Sequence, residues 1–146
     1  PRYLTAYVRD VSLIGDREFA ARRPPAGLQH FPADLANPDL EYSGIYEDGW
    51  IGERAYAVVA GGPTGQLVLE GSRTATPGGR LEVRVDGRRV VDRTVRPEPF
   101  SIRARVPASR LPRKIELRLS GVAPLPAPDG RPVSALLSYL GVVPGR

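Results

Sequence analysis

The chain has 146 residues, enough for one domain with an apolar core of its own. It contains no cysteine, which excludes disulfides, a thiolate nucleophile and a cysteine-ligated metal. The formal net charge is +5, from 21 Lys and Arg against 16 Asp and Glu, and the only lysine is Lys114. No apolar run reaches the length of a membrane-spanning helix, so we expect no membrane insertion by this segment.

Sixteen glycines and sixteen prolines separate short, regularly patterned apolar runs, which is typical of many short strands joined by turns. The first run, residues 2–15, alternates and then changes phase, which predicts a strand with a bulge near Arg9 or Asp10. A long irregular segment follows from Asp16 to Asp48, and within it "PADLAN" predicts a short helical turn. A loop of this length is usually functional or covers one end of the sheet.

The rest of the chain alternates between apolar and polar residues. "RAYAVVAG" and "QLVLEGS" predict two strands joined by a glycine-rich loop. Asp86–Gly87 is a strong hairpin signal and predicts a tight turn between the strands Arg80–Val85 and Arg88–Val95. We expect one buried core that includes Leu81, Val83, Phe100, Ile102, Ile115, Leu117 and Leu119. About eight strands without a convincing helix predict an all-β antiparallel β-sandwich of jelly-roll type, one domain over residues 1–146.

Catalytic motifs are weak. His30 is the only histidine, no serine-elbow motif is present, and we expect His30 to be a loop residue. Glu47 and Asp48 are adjacent and point apart, whereas a glycosidase needs two carboxyls that face each other, so a hydrolase is the weaker alternative. The "EDG" and "PDG" loops each lack the three spaced carboxylates of a calcium site. We therefore predict no catalytic residue, no cofactor and no metal.

The arginines are scattered along the sequence, mostly at alternating strand positions or in turns. This distribution indicates a solvated face, since surfaces that bind nucleic acid usually combine a basic cluster with stacking aromatics. We expect no nucleic-acid partner, while anionic sugars remain candidate ligands.

From "YSGIYEDGWIG" to the C-terminus, the order of motifs resembles the jelly-roll-type β-sandwich accessory domain of bacterial glycosyltransferases that build cell-surface polysaccharide. The matching segments are "GIYEDGWIG", "LVLEGS", "LEVRVDGRRV", "PEPFSIRARVPA", "KIELRLSG" and "PDGRPVSALLSYLGV". The resemblance implies a noncatalytic module with carbohydrate and a catalytic domain or other envelope protein as partners. Its place would be at the bacterial cell envelope or on the cytoplasmic face. The absence of methionine favours a piece of a longer protein.

The candidate carbohydrate site combines two loops. Tyr42, Tyr46, Asp48 and Trp50 would supply a platform and acceptors, and Asp129 and Arg131 form a second loop that could converge on them. For Trp50 two roles stay open, a plug at the end of the sandwich, which we favour, and a ligand face. The alternative function is a structural or interaction module that docks on a catalytic domain or self-assembles without binding sugar.

Overall fold

The structure, a computed structural model, describes residues 13–73 and 78–145. Most of the strand predicted within residues 2–15 lies outside the described residues. In chain order the elements are α1 (Asp16–Ala21), β1 (Gly27–Leu28), a 3₁₀ helix (Ala33–Ala36), β2 (Glu41–Ile45), β3 (Trp50–Val59), β4 (Gly65–Ser72), β5 (Gly79–Val85), β6 (Arg88–Val95), β7 (Pro99–Val106), β8 (Arg113–Leu119), β9 (Ala123–Pro124), β10 (Pro132–Val133) and β11 (Ala135–Pro144). Within these residues, no helix is long and apolar enough to cross a membrane.

The longer strands form one hydrogen-bonded path that folds over into two layers. Its order is β6-β5-β8-β3-β11-β4-β7, with β2 beside β3 and β1 beside β11. The only pairs between β3 and β11 that the described residues form are Ile51–Ala135 and Trp50–Leu136, and this short junction joins the two layers. The end strands β6 and β7 contact each other without pairing. The predicted all-β antiparallel sandwich is confirmed.

An apolar core fills the space between the layers because alternate residues of facing strands point inward. Leu81, Val83, Ile102, Ile115, Leu117 and Leu119 are all buried in it, as predicted. Phe100 is the exception, since it is half-buried and packs against the core from its margin. The expected core is therefore confirmed in all but one position.

The turn between β5 and β6 is the tight hairpin that Asp86–Gly87 predicts. Asp86 has φ 51° and Gly87 has φ 78°, the pair of positive values that a type I′ turn requires. The Asp86 carboxylate also accepts a hydrogen bond from the backbone N–H of Lys114, at 2.8 Å, which anchors the turn to β8.

The segment from Asp16 to Asp48 is more regular than expected. It contains the six-residue helix α1, the predicted helical turn at Ala33–Ala36 and the strand β2. Four of the five β2 residues are exposed, so the strand lacks the apolar alternation by which the others were recognised. The prediction of one irregular loop is therefore wrong for α1 and β2.

The sandwich has two ends, which we name by a residue at each. At the Trp50 end, Trp50 pairs with Leu136, and Leu136 pairs with Ser72. The turn 46–49 before β3 and the segment 120–131 after β8 lie at this end. The loops 60–64 and 107–112 lie at the opposite Pro107 end, where β4 begins and β7 ends.

A buried arginine lies at the Pro107 end. Arg113 begins β8, is 3% exposed, and donates from Nη2 to the carbonyl oxygens of Gly62, Pro63 and Pro107 at 2.8, 2.8 and 2.9 Å. These carbonyls belong to two different loops, so one guanidinium holds both. The expectation that arginines form a solvated face is wrong for this residue, because loop carbonyls replace the water that a charge otherwise needs.

Arg73, at the Trp50 end, is a second exception and is 2% exposed. It donates from Nη1 to the carbonyl of Ser120 at 2.9 Å and from Nη2 to that of Gly121 at 2.6 Å. Glycine is needed beside it, since a Cβ at Gly79 or Gly121 would lie 2.7 or 2.2 Å from the guanidinium nitrogens. Each end of the sandwich thus has an interior arginine bound to loop carbonyls.

Candidate functional site

The first part of the candidate site is the turn that leads into β3. The backbone N–H of Tyr46 donates to the carbonyl of Trp50 at 2.8 Å, and that of Gly49 donates to the carbonyl of Tyr46 at 2.9 Å. Gly49 has φ 87°, and a Cβ there would lie 3.1 Å from both the Leu137 carbonyl and the Phe31 ring. The turn is therefore held closely against β11, with the side chain of Asp48 at its tip.

The second part is the loop between β9 and β10. Its ends are joined by a hydrogen bond from the Leu125 N–H to the Arg131 carbonyl at 2.9 Å, and the Asp129 N–H donates to the Pro126 carbonyl at 3.2 Å. The Asp129 carboxylate accepts the backbone N–H of Arg131 at 3.2 Å, as aspartate often does in turns. The Asp129 side chain is thereby fixed within its own loop.

Arg131 joins the two parts. Its Nη1 donates to Asp48 Oδ1 at 3.2 Å, and its Nη2 donates to Asp48 Oδ2. Its Nε and Nη2 donate to Asp129 Oδ1 and Oδ2 at 2.7 and 2.8 Å. One guanidinium thus donates hydrogen bonds to two carboxylates. We call Tyr46, Asp48, Asp129 and Arg131 the fork cluster.

Tyr46 completes the fork cluster. The Arg131 Cζ lies 4.8 Å from the centroid of the Tyr46 ring, a cation–π distance. Arg131 therefore covers one face of this ring, which leaves at most the other face for stacking on a sugar. The cluster remains open to water, with 31% of the Arg131 side chain and 47% of the Asp48 side chain exposed.

Both carboxylates of the fork cluster are held in the ionised form. The hydrogen bond from Arg131 lowers the pKa of Asp48, and backbone N–H donors, that of Trp50 among them, lower it further. The pKa of Asp129 is lowered in the same way, chiefly by the Arg131 side chain, while the pKa of Arg131 is raised by its two partners. A glycosidase needs one carboxyl whose raised pKa keeps it protonated, so this pair suits acceptance of hydroxyl hydrogen bonds and not acid catalysis.

The structure places the two remaining candidates differently. Trp50 is the first residue of β3, not a turn residue as expected, and it is half-buried opposite Leu136. Tyr42 lies on β2 opposite the buried Ala57, and none of the described hydrogen bonds or cation–π contacts joins it to the fork cluster. The structure thus brings Tyr46, Asp48, Asp129 and Arg131 into contact, leaves Trp50 beside them in the chain and puts Tyr42 on a separate strand.

The groups of the hydrolase alternative are not assembled. The carboxylate of Asp34 accepts the backbone N–H groups of Gln29 and His30 at 2.7 and 2.8 Å. The His30 side chain is 70% exposed, with its Nδ1 4.0 Å from that carboxylate and no hydrogen bond to any serine within the described ranges. Glu47 is exposed, and Asp48 is engaged by Arg131. In the part of the chain that the structure describes, no group of three or more potential ligands is placed to hold a metal ion.

Comparisons with known proteins give structural likenesses alone. No protein-family model matches the chain, and a search of the curated proteins finds no similar sequence. The chain is similar to a family 35 carbohydrate binding module from Clostridium thermocellum, with 14% identity and a TM-score of 0.46 over 82% of this chain and 98% of that one. It is also similar to an acetyl xylan esterase (Est2A) from the rumen bacterium Butyrivibrio proteoclasticus, with 16% identity and a TM-score of 0.37 over 73% of this chain and 34% of that one. Likenesses of this size assign neither a ligand nor an activity.

Proposed function

We propose that this chain is a noncatalytic carbohydrate-binding module that accompanies a glycosyltransferase of a cell-surface polysaccharide system. The observation that carries the proposal is the fork cluster, in which two loops from distant parts of the chain converge on Arg131 beside an aromatic ring. Sugars are bound by rings that stack on their C–H faces and by charged groups that take their hydroxyl hydrogen bonds. The fork cluster offers both kinds of group at one end of a rigid sandwich.

The electrostatics favour binding over reaction. Because both carboxylates are ionised and bound to one guanidinium, they can accept hydroxyl hydrogen bonds without a change of protonation. Most of the Arg131 donors are already in use, which fixes the positions of the two carboxylate groups. Groups held in this way lose little conformational entropy when a ligand binds.

The test begins with a glycan array on the protein, followed by calorimetric titration of any glycan that binds. Asp48→Asn keeps the size of the side chain, removes its charge and should weaken binding at least about tenfold, the range for charge-assisted hydrogen bonds. Asp16→Asn is the matched control, because it removes the same charge from an exposed aspartate on α1 that lies outside the fork cluster. Equal affinity of Asp48→Asn and the parent would contradict the assignment of the site.

Trp50 and Tyr42 are tested by the same titration combined with thermal unfolding. If Trp50 contributes a sugar platform, Trp50→Ala loses binding and keeps most of its stability. If it is a plug, the variant loses about 3–5 kcal/mol of unfolding free energy, as buried aromatics do. Unchanged affinity of Tyr42→Ala would limit the ligand to the two loops.

The alternative function predicts a different pair of results. If the parent binds no glycan at millimolar concentration and Trp50→Ala is strongly destabilised, the chain is a docking module. Its partner would then be a catalytic domain or another copy of the chain.

A further inference from the structure

A basic groove lies at the Pro107 end, away from the fork cluster. It follows the seam where β6 and β7 contact each other without pairing, and its volume is about 650 Å³. Four arginines line it, namely Arg88, Arg89, Arg103 and Arg105, together with Thr64. All four arginines are exposed.

The groove carries an uncompensated positive charge. No carboxylate lines it among the described residues. Arg89 is 3.1 Å from Asp92 and 3.9 Å from Glu82, so its charge is shared. The other three, Arg88, Arg103 and Arg105, form no ion pair within the described ranges. Surface arginines on the outer face of the neighbouring β5, such as Arg80 and Arg84, are paired with acids at 2.7 Å.

Two of these arginines lie on the same strand, β7. Arg103 and Arg105 are two positions apart, so their side chains leave the same face of the strand, about 6.8 Å from each other. A guanidinium binds carboxylate, sulfate and phosphate groups through two parallel hydrogen bonds. A row of such forks matches a ligand with anionic groups at regular intervals.

The lining favours an acidic polysaccharide over a nucleic acid. Surfaces that hold single-stranded nucleic acid combine positive charge with aromatic rings on which bases stack. No aromatic residue lines the groove among the described residues, and its other lining groups are small or aliphatic. Charged groups on a sugar chain need no such ring.

From these observations we infer that the basic groove binds the anionic groups of an acidic polysaccharide. The choice of a sugar polymer rests on the proposed function, whereas the preference for an anionic ligand rests on the groove itself. Because the groove and the fork cluster lie at opposite ends of the sandwich, the inference adds a second, separate binding site.

The test is calorimetric titration with dextran sulfate, with unsulfated dextran of equal length as the neutral control. The groove variant is Arg103→Gln/Arg105→Gln. The matched control is Arg54→Gln/Arg118→Gln, which loses the same charge from two exposed positions, paired across β3 and β8, that do not line the groove. Thermal unfolding of both double variants shows whether they keep the fold.

We expect the parent to bind dextran sulfate and not dextran, with an affinity that falls as salt is added. The groove variant should bind at least about tenfold more weakly, because each lost charge-assisted contact is strong. The control variant should bind within about threefold of the parent, since distant surface charges are screened.

Three results would overturn the inference. They are an absence of binding to dextran sulfate, an equal loss of affinity in both double variants, and tighter binding of single-stranded DNA through the same two arginines. Failure of the proposed function is distinguishable, because equal glycan affinity of Asp48→Asn and the parent, with dextran sulfate binding lost only in the groove variant, rejects the fork cluster alone.

Discussion

The side chains of Arg131 and Asp48 meet although the two residues are 83 positions apart in the chain. Both nitrogens at the end of the guanidinium donate to the carboxylate, and the same guanidinium also holds Asp129. The contact connects the turn before β3 to the loop between β9 and β10. Two loops that are distant in the sequence thus present one surface.

The first prediction concerns the pH dependence of this contact. Arg131 lowers the pKa of Asp48, so the folded value lies below the ordinary 3.8. A depressed carboxyl pKa contributes stability above the unfolded value and loses it as the pH falls through the folded value. We therefore expect the difference in Tm between the parent and Arg131→Gln to be present at neutral pH and to shrink in acid.

Carbon-detected NMR titration of the aspartate carboxyls gives the direct measurement. The pKa values of Asp48 and Asp129 should both rise in Arg131→Gln, and that of Asp34, which has different donors, should not change. Identical titration curves for Asp48 in the two proteins would show that the contact is absent in solution.

The second prediction concerns the hairpin turn. Gly87 has φ 78°, and a Cβ there would meet nothing within 4 Å, so any cost of substitution arises from the backbone and not from a clash. Gly87→Val should lower the unfolding free energy by about 1–3 kcal/mol. Gly87→Asn is the control and should cost less, because asparagine tolerates this conformation. Urea unfolding curves that coincide for Gly87→Val and the parent would reject the turn.

The third prediction separates the two faces of β8. Leu117 is 3% exposed in the core, and truncation to alanine should cost about 2–5 kcal/mol. Arg118 points to solvent and lies 4.0 Å from Glu53, so Arg118→Ala should stay within about 0.5 kcal/mol of the parent. Similar losses in chemical denaturation for the two neighbours would mean that the faces are assigned wrongly.

The fourth prediction concerns the interior arginine at the Trp50 end. Arg73→Met keeps a long side chain and leaves the carbonyls of Ser120 and Gly121 without their donor. We expect a loss of about 2–4 kcal/mol, because the variant loses both hydrogen bonds that the charged guanidinium donates, and such bonds contribute about 1.5–3 kcal/mol each. Arg54→Met, at an exposed position, should change stability by less than about 0.5 kcal/mol. Equal unfolding midpoints for the two variants would show that the Arg73 contacts do not stabilise the fold.

The strands of the sandwich could be predicted because period-two alternation is a local property. Leu81 and Val83 point inward for the same reason that Arg80 and Glu82 point outward, and the turn after them needs only the Asp86–Gly87 pair. The strand β2 was missed because its pairing with β3 depends on a neighbour and not on its own apolar residues.

The interior arginines could not be predicted from the sequence. Nothing near Arg73 or Arg113 distinguishes them from the exposed arginines, because their partners are backbone carbonyls of remote loops. In contrast, the sequence alone suggested that the Asp129 loop meets Asp48, since both segments are polar turns with glycine and aspartate. The stacking of Arg131 on Tyr46 could not be predicted, because it depends on the angle at which the loops meet.

The two interior arginines and Arg131 differ in how their hydrogen bonds respond to acid, because their acceptors differ. A guanidinium keeps its proton throughout that range, and the carbonyls bound by Arg73 and Arg113 do not titrate. Protonation of Asp48 and Asp129, in contrast, removes the acceptors of Arg131. Acidification should therefore weaken the contact between the two loops of the fork cluster, while the hydrogen bonds that Arg73 and Arg113 donate to loop carbonyls persist, so a ligand that needs both loops should bind less tightly in acid.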